Sequence, residues 1–144
     1  MPRAEPVGAQ HAAPLHHAYY LLDLPGYGYA RASKSDRAAF RRLITQALDR
    51  PRLAGVLWLL DVRRDPSDED RDLQDQFAAG ATRILAAITK SDKLQRALTL
   101  RRERELRAAL QLDEDQAIVT SARTGAGIDE LREAVAALVR EAVE

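Results

Sequence analysis

Three short stretches carry side chains whose types and spacing could do chemistry. Asp23-Leu24-Pro25-Gly26 follows the apolar run Ala18-Tyr19-Tyr20-Leu21-Leu22. A carboxylate fixed at the end of a buried strand can orient water on a Mg²⁺ ion. A glycine just after it, lacking a side chain, can bring its backbone N–H against a terminal phosphate. Thr89-Lys90-Ser91-Asp92 closes another apolar run. A carboxylate there can accept parallel hydrogen bonds from the N1–H and exocyclic amine of guanine while a Lys stem packs over the ring. Adenine has no donor at N1, and each unmet buried polar group costs about 1–3 kcal/mol. Ser121-Ala122-Arg123 ends a further run; its backbone N–H groups could meet the guanine carbonyl oxygen, with Ser121 bracing the loop.

Each stretch has an ordinary reading when taken alone. Asp before Pro-Gly is common turn punctuation. Ser-x-Asp after a strand caps a helix, and Ser121 caps a turn that contains Gly125. What distinguishes them is their order and their common position at strand ends.

The elements that must position these loops follow from periodicity. Strands are predicted at Tyr19–Asp23, within the unbroken apolar run Leu53–Val62, at Thr82–Ile88 and at Gln116–Thr120. The Leu53–Val62 run, ended by Asp61, reads as a central parallel strand covered on both faces. Ser33-Lys34-Ser35-Asp36 opens a helix whose apolar stripe is Phe40, Leu43, Ile44, Ala47 and Leu48, with Arg37, Arg41 and Arg42 off the stripe. Those arginines form either a solvated face or a grip on RNA phosphate. Pro66-Ser67 opens an acidic-fronted helix that stops at Gly80, where a left-handed cap is expected. An Arg- and Glu-rich helix spans about Leu100 to Leu110, and a last one buries Ile128, Leu131, Val135, Leu138 and Val139. Alternation of strand and helix implies right-handed crossovers and a mostly parallel sheet.

Composition narrows the function classes. The chain of 144 residues suits one domain, and 46 % hydrophobic with 31 % charged residues is a globular profile. With 22 basic and 22 acidic residues the formal charge is zero, so no long-range field draws nucleic acid or an anionic membrane. The chain has no cysteine, which excludes disulfides, thiolate metal sites and Cys nucleophiles. No apolar stretch is long enough to span a bilayer, and a cytoplasmic location is expected. Met1–His17 is punctuated by Pro2, Pro6 and Pro14; His11, His16 and His17 lack a carboxylate spaced among them and make a poor metal site.

Together the stretches resemble a known family. Tyr20-Leu21-Leu22-Asp23-Leu24-Pro25-Gly26-Tyr27-Gly28-Tyr29-Ala30, Leu59-Leu60-Asp61-Val62-Arg63 and Thr89-Lys90-Ser91-Asp92-Lys93-Leu94 are similar to the motifs of the EngB (YihA/YsxC) GTPases, a Ras-like group of ribosome-assembly factors. The resemblance runs from about Tyr19 to the C-terminus. It implies an α/β fold of three layers, with the mostly parallel sheet of a P-loop NTPase (Ras-like G domain). It divides the chain into an irregular leader, 1–18, and an incomplete G domain, 19–144. It also implies GTP or GDP with Mg²⁺ as cofactors and the large ribosomal subunit or its RNA as partner. No membrane association is expected, and a monomer is. The implied nucleotide contacts are Asp23, Leu24, Pro25, Gly26, Thr89, Lys90, Ser91, Asp92, Thr120, Ser121 and Ala122, with Asp23 on the metal side. No catalytic residue is assigned. Tyr27 stands where many GTPases have the Gln that positions water, so slow intrinsic hydrolysis is expected.

One part of the pattern is absent. No Gly-x-x-x-x-Gly-Lys-[Ser/Thr] occurs, although that loop ordinarily wraps the phosphates and supplies a hydroxyl to Mg²⁺. Pro6-Val7-Gly8-Ala9-Gln10 aligns with the first switch loop only loosely, and Ala9 offers no oxygen to a metal. The expectation is an N-terminally truncated member with weak GTP affinity and negligible turnover, or else a nucleotide-free interaction module. Without the intervening strand, Tyr19–Asp23 and the Leu53–Val62 strand must either close on each other or leave backbone edges unpaired.

Overall fold

A computed structural model of the chain describes residues 18–26 and 33–144. Helix α1 covers Lys34–Leu48, strand β1 Val56–Asp61, helix α2 Asp68–Ala79 and strand β2 Ile84–Thr89. Helix α3 (Arg96–Ala109), strand β3 (Ala117–Val119) and helix α4 (Ile128–Val143) follow, with single 3₁₀ turns at Ser91–Lys93 and Glu114–Gln116. The sheet is parallel in the order β1-β2-β3. Its register sets Asp61 beside Thr89 and Ile88 beside Val119, so the strands end along one rim.

Alternation along the strands divides the apolar residues between two faces. Trp58, Leu60, Ile84, Ala86, Ile88 and Ala117 join Ile44 of α1, Leu73 and Phe77 of α2, and Leu106 of α3 in one core cluster. Trp58 and Phe77 meet edge to face at 5.4 Å, a favoured aromatic geometry. On the opposite face Leu85, Ala87, Ile118 and Val139 are buried. There α4 approaches so closely that a Cβ on Gly55 would fall 2.8 Å from Leu138 Cδ2.

Helix entries obey local chemistry. Ser33 with Asp36 and Ser67 with Asp70 form reciprocal capping boxes, each serine accepting from the acid's N–H and each acid accepting from the serine's N–H. The predicted stripe of α1 faces inward, with Ile44 buried and Phe40, Leu43, Ala47 and Leu48 half-buried. Arg37 and Arg41 instead reach across to Glu69 and Asp72 of α2.

Four expectations are corrected. The Tyr19–Asp23 run is not a strand: it is irregular and exposed, because among the described residues no strand lies beside it to pair its backbone. For the same reason β1 is an edge rather than a central strand, and Leu59 stays 63 % exposed on the face predicted to be covered. The unpaired-edge alternative is therefore the one adopted. The left-handed residue after α2 is Ala81 (φ 49°), one place later than expected, while Gly80 keeps a φ of −87°. Finally, α4 buries only Val139 fully, and Ile128, Leu131, Val135 and Leu138 are half-buried because one helix cannot cover the whole face.

Candidate functional site

The rim at the carboxyl ends of the strands is laced together by backbone and hydroxyl bonds. Val62 N–H donates to Thr89 O (3.1 Å), Thr120 N–H to Ile88 O (2.8 Å) and Ser91 N–H to Thr120 O (3.1 Å). The Thr89 hydroxyl donates to Leu60 O at 3.2 Å, and the Thr120 hydroxyl to Ile88 O at 3.4 Å. Thr89 and Thr120 thus brace the rim and do not project their hydroxyls from it.

Asp92 and Ser121 are brought together. Ser121 is fully buried, and its hydroxyl donates to Asp92 Oδ1 at 2.8 Å while accepting from Thr124 N–H at 3.1 Å. The Ser121 hydrogen bond holds the Asp92 carboxyl below its usual range against the opposing effect of desolvation; Lys93 and Arg123 add attraction. The result is an ionised, partly exposed acceptor in a loop neighbouring exposed Ala122. The loop after Ser121 turns through Gly125 (φ 81°) and Gly127 (φ 72°). At Gly127 a Cβ would lie 2.0 Å from Val119 O, so only glycine allows this close return of the chain.

Lys90 adopts the left-handed conformation (φ 62°, ψ 33°), and its ammonium lies 3.3 Å from Asp61 Oδ2. Arg63 grips the same carboxylate, Nε donating to Oδ1 at 3.0 Å and Nη2 to Oδ2 at 2.8 Å. The Arg63 bonds drive the Asp61 carboxyl far below the usual carboxylate range; desolvation opposes them, and Lys90 helps. From α3, Arg102 secures the loop after β1 by donating to Val62 O (3.0 Å) and Arg64 O (2.8 Å) and pairing with Asp65 at 2.9 Å. From sequence, Asp61 is a strand terminator and, with Arg63, part of a family motif, without a contact assigned to either, and Arg102 has no role. The Leu-Leu-Asp-Val-Arg string was the available signal for Asp61 and Arg63; nothing marked Arg102 among its arginine neighbours.

The segment carrying Asp23 is not joined to this rim by a hydrogen bond or ion pair among the described residues. Asp23, Pro25 and Gly26 are exposed, and only Leu24 packs against the core cluster. Among the described residues, no group of three His, Asp or Glu could hold a metal ion. Asp23 is therefore a single carboxylate there, and Mg²⁺ held through one carboxylate takes its remaining ligands from waters and phosphate oxygens. The first turn of α1, the next helix, is already closed by Ser33 and Asp36, so it offers an acid rather than free N–H groups to a phosphate. Tyr27, Gly28, Tyr29 and Ala30, the Pro6–Gln10 stretch and the three histidines lie outside the described residues.

Comparison with known proteins decides the family. A curated protein of Gemmatimonas aurantiaca, named "Probable GTP-binding protein EngB", is 47 % identical over 130 residues, 90 % of this chain and 64 % of its own length. The chain belongs to the EngB family. EngB relatives of the same name from Syntrophomonas wolfei and Syntrophus aciditrophicus are 36 % and 39 % identical over 84 % and 79 % of the chain. The chain spans 63 % and 58 % of their lengths, less than two thirds of each of these relatives. No family model matches the chain.

Proposed function

We propose that the rim formed by Thr89, Lys90, Ser91 and Asp92 with Thr120, Ser121 and Ala122 receives the base of a guanine nucleotide, as the base-recognising part of an EngB-type GTP-binding domain. The supporting observation is the 2.8 Å bond from Ser121 to Asp92. It fixes an ionised carboxylate at the end of a central strand, and each of its oxygens can accept more than one hydrogen bond. Such an acceptor suits the N1–H and exocyclic amine of guanine and leaves adenine unsatisfied. In this reading the Lys90 stem supplies apolar cover for the ring, and the Ala122 backbone N–H donates to the guanine carbonyl oxygen. Asp23, Leu24, Pro25 and Gly26 keep their assignment to the phosphate and metal side of GTP or GDP. Negligible turnover is expected of this chain, because no Gly-x-x-x-x-Gly-Lys-[Ser/Thr] loop is present to wrap the phosphates.

The wider setting of this reading is assembly of the large ribosomal subunit by a monomeric, cytoplasmic GTP-binding protein. Kinship to EngB supports it, and no described helix is long and apolar enough to cross a membrane. Titration with fluorescent GDP, competed by guanosine and xanthosine, tests the base site. Saturable binding is expected, with guanosine the better competitor. In Asp92→Asn one acceptor becomes an amide donor, so guanosine should weaken by at least about tenfold while xanthosine gains. Absence of saturable binding, or an unchanged preference in Asp92→Asn, would overturn the reading in favour of a nucleotide-free interaction module.

A further inference from the structure

We infer that Asp61 is a positioning residue for base recognition: by pinning the Lys90 ammonium it turns the lysine stem into a fixed apolar shelf next to the Asp92 loop. The inference rests on the guanine reading above and adds to it a residue from a different strand.

The argument starts from what holds Lys90. Its backbone is in a conformation that residues with a Cβ adopt only when their surroundings impose it. The surroundings do so from both sides: Thr89 O accepts from Val62 N–H (3.1 Å), Ser91 N–H donates to Thr120 O (3.1 Å), and Lys90 O accepts from Lys93 N–H (3.0 Å). The side chain would remain free to rotate were its end not held. Asp61 holds it at 3.3 Å from across the β1–β2 pair, where Asp61 and Thr89 are register partners.

Asp61 is equipped for this role and for no direct contact with a base. Its side chain is mostly buried, and both oxygens are engaged by Arg63 while Oδ2 also faces Lys90. Arg63 keeps the carboxylate aimed, and Arg102 anchors the loop that carries Arg63. The Asp61–Thr89 register pairing and the 3.3 Å contact to Lys90 put this cluster against residues two and three places before Asp92 in sequence. A mobile lysine would lose its rotamer freedom when a base arrived, whereas a pinned one has already lost it on folding. As a half-exposed ion pair the contact is modest, and the same modest amount bounds what pre-ordering of the lysine adds to binding.

The test uses the full chain, fluorescent GDP as probe, and the variants Asp61→Asn, Lys90→Met and their double. Each single substitution should weaken GDP roughly two- to fivefold, the range set by losing one half-exposed ion pair that holds a long side chain. The double variant should be no weaker than Lys90→Met alone. Guanosine should remain favoured over xanthosine in all three, because Asp92 is untouched. The order parameter of the Lys90 side-chain methylenes, read by NMR relaxation, should be higher in the wild type than in Asp61→Asn. Lys90→Met retains the carboxylate and its Arg63 fork, so it probes the same contact if Asp61→Asn perturbs folding. Wild-type affinity in Asp61→Asn, or losses that multiply in the double variant, would overturn the role of Asp61 alone. A wild-type chain with no guanine preference would overturn the base site itself.

Discussion

Ser121 Oγ lies 2.8 Å from Asp92 Oδ1 and donates to it, tying together two loops that leave neighbouring parallel strands. The hydroxyl also accepts from Thr124 N–H, so one buried group organises both the acidic side chain and the turn behind it. In Ser121→Ala the Thr124 N–H loses its acceptor, and stability should fall by about 1–3 kcal/mol, read from the urea midpoint. The Asp92 carboxyl should meanwhile titrate closer to an ordinary aspartate, which side-chain ¹³C NMR reads directly. An unmoved Asp92 titration would show that other neighbours set its acidity.

Acid should weaken the loop after β1 through Asp61. The Arg63 hydrogen bonds place its folded-state pKa below the unfolded value. A depressed carboxylate contributes stability above its unfolded pKa of about 3.9, and the contribution fades as pH falls from there through the folded value. Asp61→Asn removes that contribution. Its stability profile should therefore run flatter than wild type below about pH 4, with the two curves converging at the acid end. Chemical unfolding at a series of pH values checks this, and parallel acid limbs would contradict it.

Gly127 should tolerate no side chain. An alanine Cβ there would meet Val119 O at 2.0 Å, and φ is +72°, where alanine is strained in any case. Gly127→Ala should cost at least about 2 kcal/mol, since the left-handed conformation alone accounts for roughly 1–2 kcal/mol before the clash. The expected signature is a lower urea midpoint together with shifted amide signals for Ser121 and Thr124. Gly125, whose Cβ would meet nothing within 4 Å, is the internal comparison: Gly125→Ala should carry only the backbone strain.

Much of the architecture was legible because it follows from local rules. Ser33 and Ser67, each followed by acid in the first turn, announced their helices, and the structure adds that each heads a reciprocal capping box with the aspartate three residues on. The stripe from Phe40 to Leu48 faces inward, and the three later strands lie within a residue or two of their predicted runs. What failed depended on partners. The letters Tyr19–Asp23 are as strand-like as Val56–Asp61, yet strand formation needs a neighbouring backbone, and no described strand supplies one. The proximity of Asp92 and Ser121 was legible as two loops ending adjacent strands, but the bond between them was not. Lys90, Asp61 and Arg63 show a different limit. Their pairing depends on a left-handed lysine and on register across β1 and β2, and neither leaves a periodic trace.

The parallel arrangement also leaves the opposite edge of the sheet free of chemistry. The returns at Gly80–Thr82 and Gln111–Asp113 carry none of the residues assigned to ligand recognition. A fluorophore or affinity handle attached at exposed Ala81 or Gln111 would report on folding from the far side without intruding on nucleotide titrations. Insertions that lengthen these returns should likewise be absorbed at small entropic cost, which makes this edge the natural place to graft a second module.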